Sequence, residues 1–349
     1  MQLLQTAQAS LEGIFQATWG YLRETTISDP YPWDCFSIGG VAYFLILNFL
    51  GLKLGQTFAY RRDVGNTSQG RPKNLKDVLR VLAPREVWLS QQMAQDLLLS
   101  FNILLMFGIY IYFSLPVSAG GVGKRAIYWL SRVTHLPLNP VQYTSHGPLV
   151  DLGYAVVLLV MMELGHWIYH FLSHKVPSLW ELHKVHHAPS TMSPATDYRL
   201  HPIDYTLLFF TQGLFVGIGS FLFNLIFGFN SIGHFSHFVE FWFLLIIYLP
   251  STLHHSYRWW SWGSLERVIL SPACHTLHHS SDPRYYNTNF GLRLTVFDQL
   301  FGTFSKPTKH PPADGIDIGI RDEHYNWADA SYWRLMIDPV KKSFAVLFR

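Results

Sequence analysis

One short histidine pattern occurs twice in this chain, at residues 183–187 and 275–279, and each copy reads H-x-x-H-H. A shorter H-x-x-x-H, formed by His170 and His174, precedes the first copy. Residues three and four positions apart lie on one face of a helix, so each pattern predicts imidazoles that point the same way. Imidazole is a ligand for iron, zinc and copper. The two triplets and the pair supply eight nitrogen donors, and we predict a site for two metal ions.

The composition is typical of a membrane protein. The 349 residues are 49% hydrophobic and only 14% charged, whereas ordinary soluble domains carry roughly 25% charged residues. Aromatic residues reach 16%, which is typical of proteins with aromatic belts at the membrane surfaces. The net charge of +3 is too small to indicate a nucleic-acid partner, and two cysteines give no disulfide framework. The N-terminus lacks the pattern of a cleavable signal peptide.

Five apolar stretches approach the length of about 20 residues that a helix needs to cross a bilayer. One of them contains Glu163 and His166 and continues directly into the H-x-x-x-H. The last two are joined by a short turn, which predicts a helical hairpin. The five stretches lie near residues 36–52, 97–115, 149–171, 205–227 and 235–253.

Lysine and arginine indicate how these spans are oriented. They are concentrated in the segments 53–96 and 172–204 and in the tail after residue 253, and positive residues mark the cytoplasmic side of a membrane. Five alternating crossings place all three segments, and therefore all the histidine clusters, on that side. We predict an all-α integral membrane bundle of four to five spans, forming a single domain over residues 1–349, with a cytoplasmic helical cap that carries a histidine-rich di-metal site. A bacterial inner membrane and an endoplasmic reticulum are both compatible with this pattern.

The number of imidazoles narrows the choice of metal. A zinc ion is satisfied by four ligands or by three and a water, so eight or more histidines favour two iron ions that react with O2. A site at the membrane surface can receive a lipid chain from the bilayer. Breaking an unactivated C–H bond of that chain requires a strong oxidant, for which the protein supplies positioning and a dry pocket.

Several longer motifs lie between residues 150 and 304. They are Glu163-x6-His170-x3-His174, Trp180-x2-His183-x2-His186-His187, Arg199-x-His201-Pro, Ser271-Pro-x2-His275-x2-His278-His279, Asn289-Phe290-Gly291 and Phe297-Asp298-x-Leu300-Phe301-Gly302-Thr303. Together these motifs resemble the fatty acid hydroxylase/sterol desaturase superfamily. The last of them resembles the closing W-D-x-L-F-G-T of that family, with phenylalanine in place of tryptophan.

The resemblance implies a histidine-ligated di-iron centre in a membrane-embedded helical catalytic core over residues 150–304. It also implies O2-dependent hydroxylation or desaturation of a lipid. For the histidine after the last span, His254 and His255 remain alternatives, and the distance to Gly263 favours His255. His201 matches a family histidine but could also lie outside the ligand set. The ligands implied are His170, His174, His183, His186, His187, His201, His255, His275, His278 and His279.

Acidic residues near the predicted ligands raise a second question. Glu163 lies inside an apolar span and could either orient an imidazole or satisfy another polar neighbour. Asp197, Asp204 and Asp282 could orient imidazoles as well, although carboxylates in loops are usually solvated. His166 is expected to be packed rather than ligated.

We therefore predict a non-haem di-iron lipid hydroxylase that uses O2 and electrons from an external donor. The sequence has no H-P-G-G of a fused cytochrome b5 and no G-x-G-x-x-G dinucleotide motif, so a separate cytochrome b5 or ferredoxin is expected to deliver the electrons. A desaturase with the same site is an alternative, since placement of the hydrogen decides between the two reactions. A zinc-binding membrane transporter or structural protein is an alternative of another class, and metal analysis separates it from an iron enzyme.

Overall fold

The structure, a computed structural model, describes residues 85–112, 119–135, 147–227, 254–313, 315–321, 327 and 330–348. Over these residues the chain is helical and contains only isolated β-bridges in place of strands. This agrees with the predicted all-α class. The predicted spans at 36–52 and 235–253 lie outside the described residues.

The described part of the chain contains nine α-helices. Three short 3-10 turns, at Pro194–Tyr198, Gly263–Arg267 and Pro283–Tyr285, connect some of them. The helices are α1 (Arg85–Trp88), α2 (Gln91–Tyr112), α3 (Ala119–Thr134), α4 (Pro148–Lys175), α5 (Pro177–His187), α6 (Pro202–Phe227), α7 (Pro272–His278), α8 (Val296–Leu300) and α9 (Tyr332–Leu347).

Two of these helices are long and apolar enough to cross a membrane. They are Leu149–Lys175 within α4 and Pro202–Phe227, which is α6, and they coincide with the third and fourth predicted spans. Proline occupies the first helical turn of α4, where its missing N–H costs nothing. Helix α4 ends at Lys175 because Pro177 starts α5 in a new direction after the extended residue Val176. The predicted second span, 97–115, overlaps α2 as far as Tyr112.

Helices α4 and α6 are antiparallel neighbours in close contact. A Cβ on Gly165 would lie 3.0 Å from backbone atoms of residues 211 and 212, and one on Gly219 would lie 2.5 Å from the Met161 side chain. Small residues allow two membrane helices to approach in this way. Gln212 Nε2 donates to His166 Nδ1 at 3.1 Å between the same helices. The end of α4 and the start of α6 therefore meet, and the segment between them forms a cap at that end.

Helix α3 lies where the sequence predicted only a loop between the second and third spans. Its Ile127 and Ser131 are buried, whereas Trp129 and Val133 are exposed, and the helix packs along α6. A search for about 20 consecutive apolar residues misses a helix of 16 residues whose apolar positions occupy only part of its surface.

A buried ion pair fixes the cap to α2. Arg199 Nη1 lies 2.7 Å from Asp96 Oδ1, and both side chains are fully buried. The guanidinium also donates through Nε to the carbonyl of Val185 in α5 at 3.0 Å. Thr196 Oγ1 donates to the other oxygen of Asp96 at 2.9 Å. Helix α2, helix α5 and the turn Pro194–Tyr198 are thus held in one arrangement by a single arginine and a single aspartate.

Candidate metal centre

Nine of the ten predicted ligands converge in two adjacent, largely buried groups. Within each group, one possible ligand atom of every residue lies within 4.8 Å of those of the others. The rings of His187 and His279, which belong to different groups, stack with centroids 4.3 Å apart. The first group consists of His170, His174, His183, His187 and His278. The second group consists of His186, His255, His275 and His279.

The H-x-x-H-H motifs divide between the two groups instead of facing one ion each. His183 and His187 enter the first group while His186 enters the second, and His275 and His279 enter the second while His278 enters the first. Each residue of a helix turns the chain by about 100°, so positions i and i+4 differ by roughly 40° but positions i+3 and i+4 by roughly 100°. The expectation that all three imidazoles of a motif point the same way is therefore too simple. Each motif contributes to both groups.

The first group exposes one type of ring nitrogen to the shared space. The Nε2 atoms of all five residues are buried and have no hydrogen-bond partner among the described residues. On three of the rings, Nδ1 makes the hydrogen bond instead, with His170 donating to the carbonyl of Phe290 at 2.9 Å and His278 to that of Thr288 at 2.7 Å. Buried polar atoms are normally paired. Five unpaired Nε2 atoms in one place fit a bound metal ion.

In the second group the Nε2 atoms face one another at short distances. His275 Nε2 lies 2.8 Å from His255 Nε2 and 3.1 Å from His279 Nε2, and His186 Nε2 lies 3.2 Å from His255 Nε2. Nitrogens that bind one ion at about 2.0–2.1 Å and at ligand angles of roughly 90–109° lie about 2.9–3.4 Å apart. The spacing of these imidazoles is the spacing expected around a single metal ion.

The histidines of the cap are held in the neutral form that metal binding requires. Burial lowers the pKa of His186, His187, His275 and His279 well below the usual value, and the neighbouring imidazoles lower it further. Burial also lowers the pKa of His278 to about 3. A protonated ring has no lone pair to offer a metal. At neutral pH these imidazoles therefore need to lose no proton before they bind an ion.

A buried carboxylate at the start of α6 orients one predicted ligand. Asp204 accepts from Nδ1 of His183 at 3.0 Å and also from the hydroxyl of Tyr169. Such partners fix the ring orientation and raise the basicity of a ligating imidazole. Near the second group, Asp197 Oδ1 lies 3.2 Å from Nδ1 of His255. Asp282 instead caps an exposed turn and pairs with Arg284. Two of the three aspartates considered therefore lie beside predicted ligands.

We expect Asp204→Asn to weaken metal binding in the first group by about 10–100-fold, because the amide cannot hold the Nδ1–H of His183 as the carboxylate does. The measurement is a titration of the metal-free protein with iron, followed by optical spectroscopy. Asp317→Asn, which alters an exposed residue paired with Arg321, is the matched control. Unchanged affinity in Asp204→Asn would contradict the orienting role.

A second support comes from the loop that contains the N-F-G motif. Asp298 accepts from the backbone N–H groups of Phe290 and Gly291, both at 2.8 Å, and from Trp167 Nε1 at 3.0 Å. A Cβ on Gly291 would lie 2.3 Å from the carbonyl oxygen of Leu294, so only glycine fits. This loop presents the Phe290 carbonyl to His170. The closing F-D-x-L-F-G-T motif therefore positions a predicted ligand through the backbone of the N-F-G loop.

The remaining histidines lie outside both groups. His201 donates from Nε2 to the carbonyl of Met336 at 3.0 Å, and its Nδ1 accepts from the N–H of Ile203 at 3.2 Å. Both nitrogens of the ring are occupied, so the geometry does not support His201 as a ligand, in contrast to the resemblance. His254 donates from Nε2 to the carbonyl of Leu270 at 3.1 Å. Of the two alternatives, the structure brings His255 into the second group.

Glu163 binds a polar neighbour other than the clustered imidazoles, and it contacts no imidazole of the two groups. It is fully buried and pairs with Arg293 at 2.8 Å, and it accepts from the backbone N–H groups of Arg293 and Leu294. The carboxylate therefore fixes α4 to the loop that follows the N-F-G motif. The sequence left this role open because Arg293 lies 130 residues away along the chain.

The fold and the site together define a helical protein with two candidate membrane helices and a buried, two-part histidine cluster at their shared end. Residues 155–303 match the family model described as fatty acid hydroxylase, so this part of the chain is similar to that family. The predicted resemblance is confirmed.

Several characterised proteins are similar to this chain. An ornithine lipid hydroxylase of Rhizobium tropici is 31% identical over 48% of this chain and 46% of its own length. A delta(7)-sterol 5(6)-desaturase of Leptosphaeria maculans is 30% identical over 41% of this chain and 34% of its own. An alkylglycerol monooxygenase of Danio rerio is 24% identical over 46% of this chain and 31% of its own. The chain thus spans less than half the length of each, and no solved structure matches it.

Proposed function

We propose that this chain is a membrane-bound oxidoreductase that uses two iron ions and O2 to hydroxylate a C–H bond of a lipid. The observation that carries the proposal is the presence of two groups of imidazoles, one of five residues and one of four. Within each group the donor atoms lie within 4.8 Å of one another. The relatives named above are a lipid hydroxylase, a desaturase and a monooxygenase, which supports oxidation as the class of reaction.

The donor set fits iron. Imidazole binds iron, zinc and copper, but the five imidazoles of the first group exceed the four ligands that complete a zinc site. When bound, two iron ions would supply the activation of O2 that oxidation of an unactivated C–H bond requires. The first group would hold one ion through Nε2 of His170, His174, His183, His187 and His278. The second group would hold the other through His186, His255, His275 and His279.

The protein itself would exclude water and hold the imidazoles in place. Eight of the nine imidazoles are buried and the ninth, His174, is partly so, which restricts access of water. Asp204 and the carbonyls of Phe290 and Thr288 hold three rings in fixed orientations. Fixed ligands of this kind reduce the reorganisation that a reaction at the centre requires. The cap therefore acts as a rigid, dry support for the two ions.

A lipid is the substrate class that the location supports. His170 and His174 lie at the end of one candidate membrane helix, and Asp204 lies in the first turn of the other. A lipid in the adjoining leaflet could bring a C–H bond to this end of the helix pair without leaving the membrane. Similarity to an ornithine lipid hydroxylase favours hydroxylation. Similarity to several sterol desaturases keeps desaturation as the second candidate with the same site.

We further propose a multi-pass arrangement with the metal centre on the cytoplasmic face of a bacterial inner membrane or an endoplasmic reticulum. The basic segments that surround the histidine clusters support this orientation. Two external electrons are needed for each O2 consumed in a hydroxylation, and a separate cytochrome b5 or ferredoxin is the proposed donor.

The test is expression of the chain in a host that lacks it, followed by comparison of lipids formed under ¹⁶O2 and ¹⁸O2. The proposal predicts a lipid that gains one oxygen atom, and that this oxygen carries the heavy isotope under ¹⁸O2. A lipid that loses two hydrogens without gaining oxygen would establish the desaturase instead. Stoichiometric zinc in the protein as purified, together with no O2-dependent product after the zinc has been replaced with iron, would favour the zinc-binding alternative.

A further inference from the structure

The C-terminal helix α9 carries an unusually regular apolar stripe on its outer side. Trp333, Ile337, Phe344 and Leu347 are between 46% and 69% exposed, and Phe348 just beyond the helix is 86% exposed. Successive helical residues are about 100° apart, so these positions fall within roughly 100° of one another around the axis. Contiguous exposed apolar surface of this kind marks an interaction site more often than scattered single residues do.

The opposite side of α9 is fixed to the protein. Leu335 is fully buried and packs in one cluster with Leu99 of α2, Val185 of α5 and Trp327. Pro339 is buried on the same side. Because this face is packed in the core, the apolar stripe cannot turn inward, and the helix presents it outward in the folded protein.

The position of α9 relative to the candidate spans indicates what the stripe faces. Nε2 of His201 donates to the carbonyl of Met336 in α9 at 3.0 Å, and His201 immediately precedes Pro202, the first residue of the span α6. Asn102 of α2 donates to the sulfur of the same methionine at 3.4 Å. Helix α9 therefore lies beside the end of a candidate membrane helix, at the level where a bilayer would begin.

Nearby apolar residues extend the exposed surface in this region. Phe101, one residue before Asn102, is 63% exposed, and Ile203, in the first turn of α6, is 42% exposed. Basic residues border the stripe, since Arg334 and Lys341 lie roughly 80–100° from Trp333 around the helix axis. An apolar face next to basic residues is the pattern of a helix that lies in the surface of a membrane containing anionic lipids.

We propose that α9 is an interfacial helix whose apolar stripe is inserted into the leaflet on the side of the metal centre, with Arg334 and Lys341 at the level of the headgroups. The inference depends on α6 crossing the membrane but not on the identity of the metal or on the reaction. A lipid surface accounts for three features together: the stripe, the basic border and the position at the end of the span. A second copy of the chain would account for the stripe alone.

Two neighbouring residues provide a matched test. Trp333 lies in the stripe and Arg334 lies about 100° away around the helix axis, and both residues are exposed. Each is replaced by cysteine in full-length protein that carries Cys35→Ser; Cys274 is fully buried and is retained. The proteins are labelled with bimane and reconstituted into vesicles of phosphatidylcholine and phosphatidylglycerol. The protein that carries only Cys35→Ser measures background labelling. Phe344→Cys repeats the measurement on the stripe near the other end of the helix.

Quenchers in the lipid and in the water then report on each position. The proposal predicts that nitroxide-bearing lipid quenches the labels at 333 and 344 at least twofold more than the label at 334, while aqueous iodide gives the reverse order. Equal iodide quenching at 333 and 334 would show that the stripe faces water. Shielding of 333 and 344 from both quenchers would show that protein covers it. Either result overturns the proposal, and neither depends on bound iron or on catalysis.

Discussion

Replacing His275 with alanine is expected to remove one of two iron ions and nearly all activity. Its Nε2 lies within 3.1 Å of the Nε2 atoms of both His255 and His279, and the four-residue group to which it belongs has no spare donor. Loss of an outer partner of a metal site costs roughly 10–100-fold, so loss of a direct ligand should exceed a hundredfold. Iron per chain, measured by elemental analysis beside turnover, checks the prediction.

The five-residue group offers a graded comparison. His174→Ala leaves four imidazoles in that group, so we expect it to retain more iron than His275→Ala does. His310→Ala, at an exposed position outside both groups, should retain two ions. We also expect His201→Ala to retain them, because both of its ring nitrogens are engaged by the backbone. A loss of iron in His201→Ala as large as that in His275→Ala would contradict the ligand sets described above.

The second large effect concerns stability. We expect Asp96→Ala to lower the free energy of unfolding by about 3–5 kcal/mol, because it leaves the Arg199 guanidinium buried without its counter-charge. Both side chains have no exposed surface, so water cannot compensate. Chemical denaturation of the detergent-solubilised protein, followed by tryptophan fluorescence, measures the change.

Asp282→Ala is the matched control for this variant. It removes a carboxylate from an ion pair with Arg284 whose arginine side chain is 70% exposed, and exposed pairs contribute little to stability. We expect its unfolding curve to be close to that of the unmutated protein. If Asp96→Ala and Asp282→Ala destabilise the protein equally, the buried pair does not hold the cap to α2 as proposed.

The elements that carry the clustered histidines were predictable from the sequence because their signals are local. The helical period is enough to place the first and last imidazoles of each H-x-x-H-H motif on one helix face. The apolar runs predicted α4 and α6, since only length and composition are needed to recognise a candidate span. The motifs also indicated the family whose model residues 155–303 match.

Features that depend on tertiary contact were not predicted. Spacing along a helix separates the middle imidazole of each motif from the other two, but which group each imidazole enters depends on how α5 and α7 face one another. The roles of Glu163 and Asp96 depend on arginines about 100 or more residues away. His254 and His255 are adjacent in the chain, and only packing against Leu270 and His275 separates them.

Iron stoichiometry tests the central claim most directly. The full-length protein, purified in detergent after growth in iron-rich medium, should contain two iron ions per chain, and Mössbauer spectroscopy of the oxidised sample should show them magnetically coupled. His187→Ala and His279→Ala should each reduce that content, because they alter different groups. One uncoupled iron per chain in the unmutated protein, or two that survive both substitutions, would contradict a centre in which the two imidazole groups each hold an ion.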